Sequence, residues 1–191
     1  MKATFALLTD THVYNFARKL AWDIHRTYRT GTAVCRLPPH VSLKQPFEIS
    51  NLSFLEDFMS ELASDIHPFE IQLSKLQLVP TTINDMDTGI LWLDVEETDY
   101  LRQLHNRLNQ DLLLRFGNTQ APFDGTGYHF HLTIAIAGQP LEVYRQIYSK
   151  LSQLTVNLRY TLNEIAMFVY DDNSTLNGDY ITYKILPIGN K

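Results

Sequence analysis

Residues 40–43 read His-Val-Ser-Leu, and residues 131–134 read His-Leu-Thr-Ile. Each segment is a histidine, an apolar residue, a hydroxyl residue and a second apolar residue. Strands alternate their side chains between two faces. As strands, the segments place His40 and Ser42 on one face, and likewise His131 and Thr133, each pair about 7 Å apart along its strand. Val41, Leu43, Leu132 and Ile134 then point into a core. The chain must therefore fold so that two distant strands each keep one polar face open.

The pattern around the segments also repeats. A strand over 3–8 precedes a helix from about 12 to 29, in which Val13, Phe16, Leu20, Ile24 and Tyr28 recur at helical spacing. Gly31 is expected to close that helix. Pro38 and Pro39 straighten the chain before His40. Ser53, with Glu56 three residues on, predicts a capped helix start, followed by a stripe of Leu55, Phe58, Met59, Leu62 and Ile66. In the next strand Phe69, Ile71 and Leu73 share a face. The phase slips at Ser74-Lys75 before Leu76 and Leu78, as a β-bulge or a twist would make it. Pro80 to Gly89 reads as a polar loop.

The second half runs through a strand at Ile90–Val95 and a helix over roughly 98–115. A linker with three Gly, two Thr, Asn118 and Pro122 spans Gly117 to Gly127, and the His131 strand continues to about Ile136. A helix follows with Pro140 at its start and Tyr144, Ile147, Tyr148 and Leu151 as its stripe. The remainder alternates as strands, with Asn177-Gly178 as a hairpin turn. Both halves thus read strand, helix, His-strand, helix, strand. The expectation is one domain over 1–191, built from halves of roughly 1–80 and 89–191. Packing about a pseudo-twofold axis would bring the His-strands together across a groove.

Composition narrows the partners. With 45% hydrophobic and 19% charged residues, the chain has enough apolar content for a core and reads as an ordinary globular protein. A net charge of −5 argues against a broad basic surface for long duplexes, but leaves a nucleotide or RNA end open. Cys35 is the sole cysteine, so neither an internal disulfide nor a thiolate metal site is expected. No apolar run has the length of a signal peptide or membrane span. The expectation is a cytoplasmic monomer with no membrane partner.

Of seven histidines, His12, His25, His67 and His105 read as structural or merely exposed. His40 and His131 recur in the same local frame. Imidazole gives or takes a proton near neutral pH. In-line displacement at phosphorus needs a base and an acid on opposite sides, and two facing imidazoles supply them. Ser42 and Thr133 can donate to the non-bridging oxygens, where charge must be stabilised. This arrangement requires no metal and no other cofactor.

Pro38-Pro39-His40-Val41-Ser42-Leu43 with Pro46-Phe47, and His131-Leu132-Thr133-Ile134-Ala135, resemble the two motifs of the two-histidine phosphoesterases, the 2′-5′ RNA ligase and cyclic phosphodiesterase-like group. Ser42 stands where threonine is common in that group, and it keeps the hydroxyl. The resemblance implies an α+β fold of two lobes, with antiparallel sheets flanking a central groove and helices outside. It implies metal-independent hydrolysis, or the reverse ligation, of 2′,3′-cyclic or 2′,5′-linked phosphodiesters of nucleotides or RNA ends. By motif, His40 and His131 are the acid–base pair and Ser42 and Thr133 the phosphate binders.

Further candidates come from strand parity and residue type. Lys44 shares parity with His40 and Ser42. Phe47, Tyr128, Phe130 and Trp92 could stack on a base. His129 shares parity with His131, as a substrate contact or as half of a metal pair that lacks a third ligand of obvious spacing. Two other functions compete: a non-catalytic module binding nucleotides or RNA ends in the same groove, and a metal-dependent hydrolase using His129 and His131.

Overall fold

The structure, a computed structural model, describes residues 1–170 and 180–189. In chain order the elements are β1 (Lys2–Leu8), α1 (Thr11–Tyr28), a 3-10 turn (Ala33–Cys35), β2 (His40–Ser42), β3 (Phe47–Glu48), α2 (Leu52–Asp65), β4 (Glu70–Ile83), β5 (Met86–Val95), α3 (Asp99–Phe116), β6 (His131–Ile136), α4 (Leu141–Leu151), β7 (Leu158–Thr161), β8 (Glu164–Tyr170) and β9 (Ile181–Pro187). The fold is α+β. The strands form an antiparallel sheet in the order β7-β4-β5-β6-β2-β1-β8-β9, with β3 added beside β1.

That order has two matching wings. In one, β5 lies between β4 and β6; in the other, β1 lies between β8 and β2. The wings meet where β2 and β6 pair through Val41 and Leu132. The expected pair of sheets is therefore one continuous sheet with a narrow seam. The wings also differ from the sequence halves 1–80 and 89–191. Strand β4 leaves the first half to join β5, and β8 and β9 leave the second to flank β1. The physical reason lies in the β4–β5 hairpin, whose short connection closes at low entropic cost and draws β4 across.

The same hairpin corrects the loop expected over Pro80–Gly89. Strand β4 runs to Ile83, and Asn84 and Asp85 turn the chain at φ 50° and 60°. Two consecutive positive φ values at Asn-Asp mark a type I′ turn. Pro80 is tolerated opposite Gly89 because β7 covers only Glu70 to Leu73, leaving that end of β4 an edge. The phase slip is present as a register shift between Leu73 and Leu76.

Two helix ends differ from expectation. Arg29, at φ 58°, closes α1 by donating its N–H to the His25 carbonyl, while Gly31 donates to the His25 ring. Asn51 caps α2 through the Ser53 N–H, and Glu56 instead accepts from Tyr183 and Lys184 of β9. The Asn177-Gly178 turn lies outside the described residues. Among the described residues, no helix is long and apolar enough to cross a membrane.

Strand β1 is buried on both faces. Phe5 and Leu7 join the main core, while Ala6 and Leu8 form a smaller cluster with Ala166 and Phe168. Ala6 lies opposite Ser42 and Leu8 opposite His40, so the smaller cluster floors the polar face of β2. Helix α1 packs on β6 and β7, α4 on β4 and β5, and α2 on β8 and β9.

Gly138, just past β6, has φ +77°, and a Cβ there would run into the Thr30 carbonyl. Gly138→Ala is expected to cost about 1–3 kcal/mol, because it combines a left-handed backbone with a backbone clash. Thermal unfolding checks this: Tm should fall by about 2–4 °C per kcal/mol in a domain of this size.

Candidate active site

Strand β2 has only three residues because Pro38 and Pro39 lead into it and the chain bends after Ser42. Antiparallel pairing of Val41 with Leu132 places His40 opposite Thr133 and Ser42 opposite His131. Side chains so opposed lie on one face, with Cβ atoms about 5 Å apart. Each hydroxyl therefore stands across from the other motif's imidazole. All four side chains are partly buried. His40 and Thr133 also share the wall of a small cavity of about 30 Å³, against Ala17, Arg18 and Ala21 of α1.

The two imidazoles are held alike. The His40 Nδ1 lies 2.8 Å from the Pro38 carbonyl, and the His131 Nδ1 lies 2.9 Å from the His129 carbonyl. A carbonyl only accepts, so each Nδ1 carries the proton and each neutral Nε2 is free to accept one. The partner in both cases is the carbonyl two residues upstream, a local bond that each motif makes for itself.

Their surroundings differ. The His40 ring meets the edge of Phe168 at 4.7 Å, and Arg18 lies nearby, bridging the Val34 and Leu37 carbonyls. Burial pushes the His40 pKa down to about 4. The bond to Pro38 opposes this, and the charges of His131 and Arg18 add to it. Burial also lowers the pKa of His131. The bond to the His129 carbonyl opposes that, the His129 ring lowers it further, and Asp94 raises it.

Trp92 and Asp94 of β5 complete the His131 side. Asp94 pairs in register with His131, and Trp92 with Thr133. The indole stacks on the His131 ring at 4.1 Å and 23°. Its Nε1–H donates to Asp94 Oδ1 at 2.8 Å, and His129 Nε2–H donates to the same oxygen at 2.9 Å. Gln77 donates to the other oxygen at 3.2 Å. Burial pushes the Asp94 carboxyl up, but bonds from His129, Trp92 and Gln77 outweigh it and hold the pKa below the ordinary aspartate value. Sequence reasoning finds Trp92 only as a candidate stacking surface and misses Asp94. Their shared strand parity is visible in the sequence, but only the β5–β6 register brings them to His131.

Several candidates lie elsewhere. Lys44 is fully buried and pairs with Asp124. The parity argument fails for it because β2 ends at Ser42. Phe47 is buried against Phe5 in the main core. Tyr128 is buried, its hydroxyl donating to the Ser42 carbonyl at 2.9 Å, so it supports β2 from behind. Phe130 is likewise buried, its ring edge against His105. His129 keeps a half-exposed side chain at the rim, committed to Asp94. Among the described residues, no three His, Cys, Asp or Glu side chains stand close enough to hold a metal ion. His105, read as structural, is buried and bonds the Leu43 carbonyl at 2.8 Å, bracing the first motif with Tyr128.

A "Putative phosphoesterase" of Geobacillus thermodenitrificans is 27% identical over 181 residues, covering 92% of this chain and 94% of that protein. The crystal structure of TT0787 from Thermus thermophilus superposes with a TM-score of 0.68 at 14% identity, over the full length of both chains. That of E. coli LigT complexed with 3′-AMP gives 0.52 at 14% identity, over 99% of this chain and 98% of LigT. These structures share the fold. The family model described as the 2′-5′ RNA ligase superfamily matches residues 10–174, and the chain belongs to that superfamily.

Proposed function

We propose that the chain is a metal-independent phosphodiesterase acting on 2′,3′-cyclic or 2′,5′-linked phosphodiesters of nucleotides or RNA ends. The observation that carries this is the matched pinning of both Nδ1 atoms, which leaves two Nε2 atoms for proton transfer beside two hydroxyls on one face. The superfamily match and the phosphoesterase relatives support it. A nucleotide substrate is supported by LigT, which shares the fold and is solved with 3′-AMP.

In hydrolysis, one neutral Nε2 takes a proton from the attacking water as its oxygen bonds to phosphorus. The other, protonated Nε2 gives its proton to the departing ribose oxygen. The Ser42 and Thr133 hydroxyls donate to the non-bridging oxygens as charge builds there. The imidazoles end in exchanged protonation states and reset through solvent.

The test is a panel of 2′,3′-cyclic nucleotides and 2′,5′-linked dinucleotides, assayed with EDTA, with products read by phosphorus NMR. Turnover unchanged by EDTA is expected. Activity lost to EDTA and restored by a divalent cation would overturn metal independence, and binding without product would overturn catalysis. The profile of kcat/KM against pH should be a bell with its maximum on the acid side of neutrality. Below about pH 4 the base is protonated, and above the lowered His131 pKa the second proton is lost. A maximum above pH 7 would contradict these environments.

A further inference from the structure

The two motifs are alike in backbone but not in neighbours. From β5, His131 faces the Asp94 carboxylate and the Trp92 ring; from its own strand's approach it faces His129, and across the seam His40. Behind Asp94, β4 contributes Gln77 and, at 4.0 Å, the exposed Lys75. Among the described residues, no carboxylate takes this role beside His40. His40 faces the edge of Phe168 and lies near the Arg18 guanidinium.

Resting on the function proposed above, we infer that Asp94 and Trp92 are positioning residues that reserve His131 as the acid and leave His40 as the base. Trp92 does this by fixing the imidazole plane. Its ring covers one face of His131, and the bond from Nε1 to Asp94 stops the indole from turning. Asp94 does it by charge, favouring the protonated form of His131. His129 holds the carboxylate in place from the rim, through the same oxygen that accepts the indole. On the other side, Arg18 and an apolar floor favour the neutral form of His40. Near-identical motifs thus acquire different duties from the strands beside them. In the forward reaction the proton of water goes to His40 Nε2, and the proton on His131 Nε2 goes to the leaving oxygen.

Asp94→Asn and Trp92→Leu in the full chain test this. The first keeps an oxygen to accept from Trp92 and His129 but removes the charge; the second removes the stack. Imidazole C–H NMR titration reads each histidine without turnover. In Asp94→Asn the His131 midpoint is expected to fall by about one pH unit while His40 holds. A His131 midpoint that stays, or both midpoints moving together, would overturn the inference.

Turnover supplies the second arm. A nucleoside 3′-phosphodiester with a nitrophenolate leaving group needs no proton on departure. Asp94→Asn and Trp92→Leu should lose activity about tenfold more on a ribose-leaving substrate than on the nitrophenyl one. Equal losses on both would overturn the acid role. No turnover by wild type with the His131 shift intact would sink the functional reading and leave the Asp94–His131 coupling standing.

Discussion

His40→Ala and His131→Ala should each lower kcat/KM on a cyclic phosphodiester by about 10²–10⁴-fold, the usual worth of a positioned proton-transfer group. Neither ring carries much of the core. Both are only partly buried, and each hydrogen bond they make is a local one to a carbonyl two residues upstream. Circular dichroism and melting should stay near wild type, so the loss reads as chemistry. The double variant should fall little further than the worse single one, because the two groups act in one transition state and their effects do not add. Independent, multiplicative losses would mean that the imidazoles do not work on one phosphorus. Near wild-type turnover in either single variant would remove that histidine from the mechanism.

Asp124→Ala should be the most damaging substitution for stability. Asp124 pairs with Lys44, and both side chains are almost wholly buried, at 3% and 0% exposure. Its carboxylate also accepts from the Gln45 and Ala121 backbone N–H groups at 3.2 and 2.9 Å. Removing it leaves an ammonium stranded in the interior. Burial already pushes the Lys44 pKa down, and the bond and charge of Asp124 oppose that. Breaking such a pair from one side costs about 3–5 kcal/mol. Tm should drop on the order of 10 °C at about 2–4 °C per kcal/mol. The double variant Lys44→Met, Asp124→Leu should recover most of this, because it removes the charge along with its partner. A melt of Asp124→Ala within about 2 °C of wild type would show the pair to be dispensable. Lys44 lies two residues past Ser42, so activity is expected to fall in Asp124→Ala as the end of the first motif loosens.

The helices are legible in the sequence because each buries a stripe at helical spacing, as Leu101, Leu104, Leu108 and Leu112 do in α3. The phase slip before Leu76 is legible because a bulge displaces every later side chain to the other face. Pro80 and Gly89 mislead as loop markers. A proline on a half-uncovered strand and a glycine opposite it do not interrupt the pairing of Thr81 with Thr88 or Val79 with Ile90. The capping box at Ser53 misleads because Asn51 competes for the same backbone N–H and wins.

By itself, the sequence determined the two motifs and the face that each histidine shares with its hydroxyl. These are local properties, set by a two-residue period and by neighbours in the chain. The tertiary structure alone decided that Val41 meets Leu132, that β4 and β8 change wings, that Lys44 turns inward to Asp124, and that Asp94 and Trp92 stand beside His131 but not His40. Alternation says which face a residue occupies but not which strand lies alongside. That choice is settled by the packing of the whole sheet.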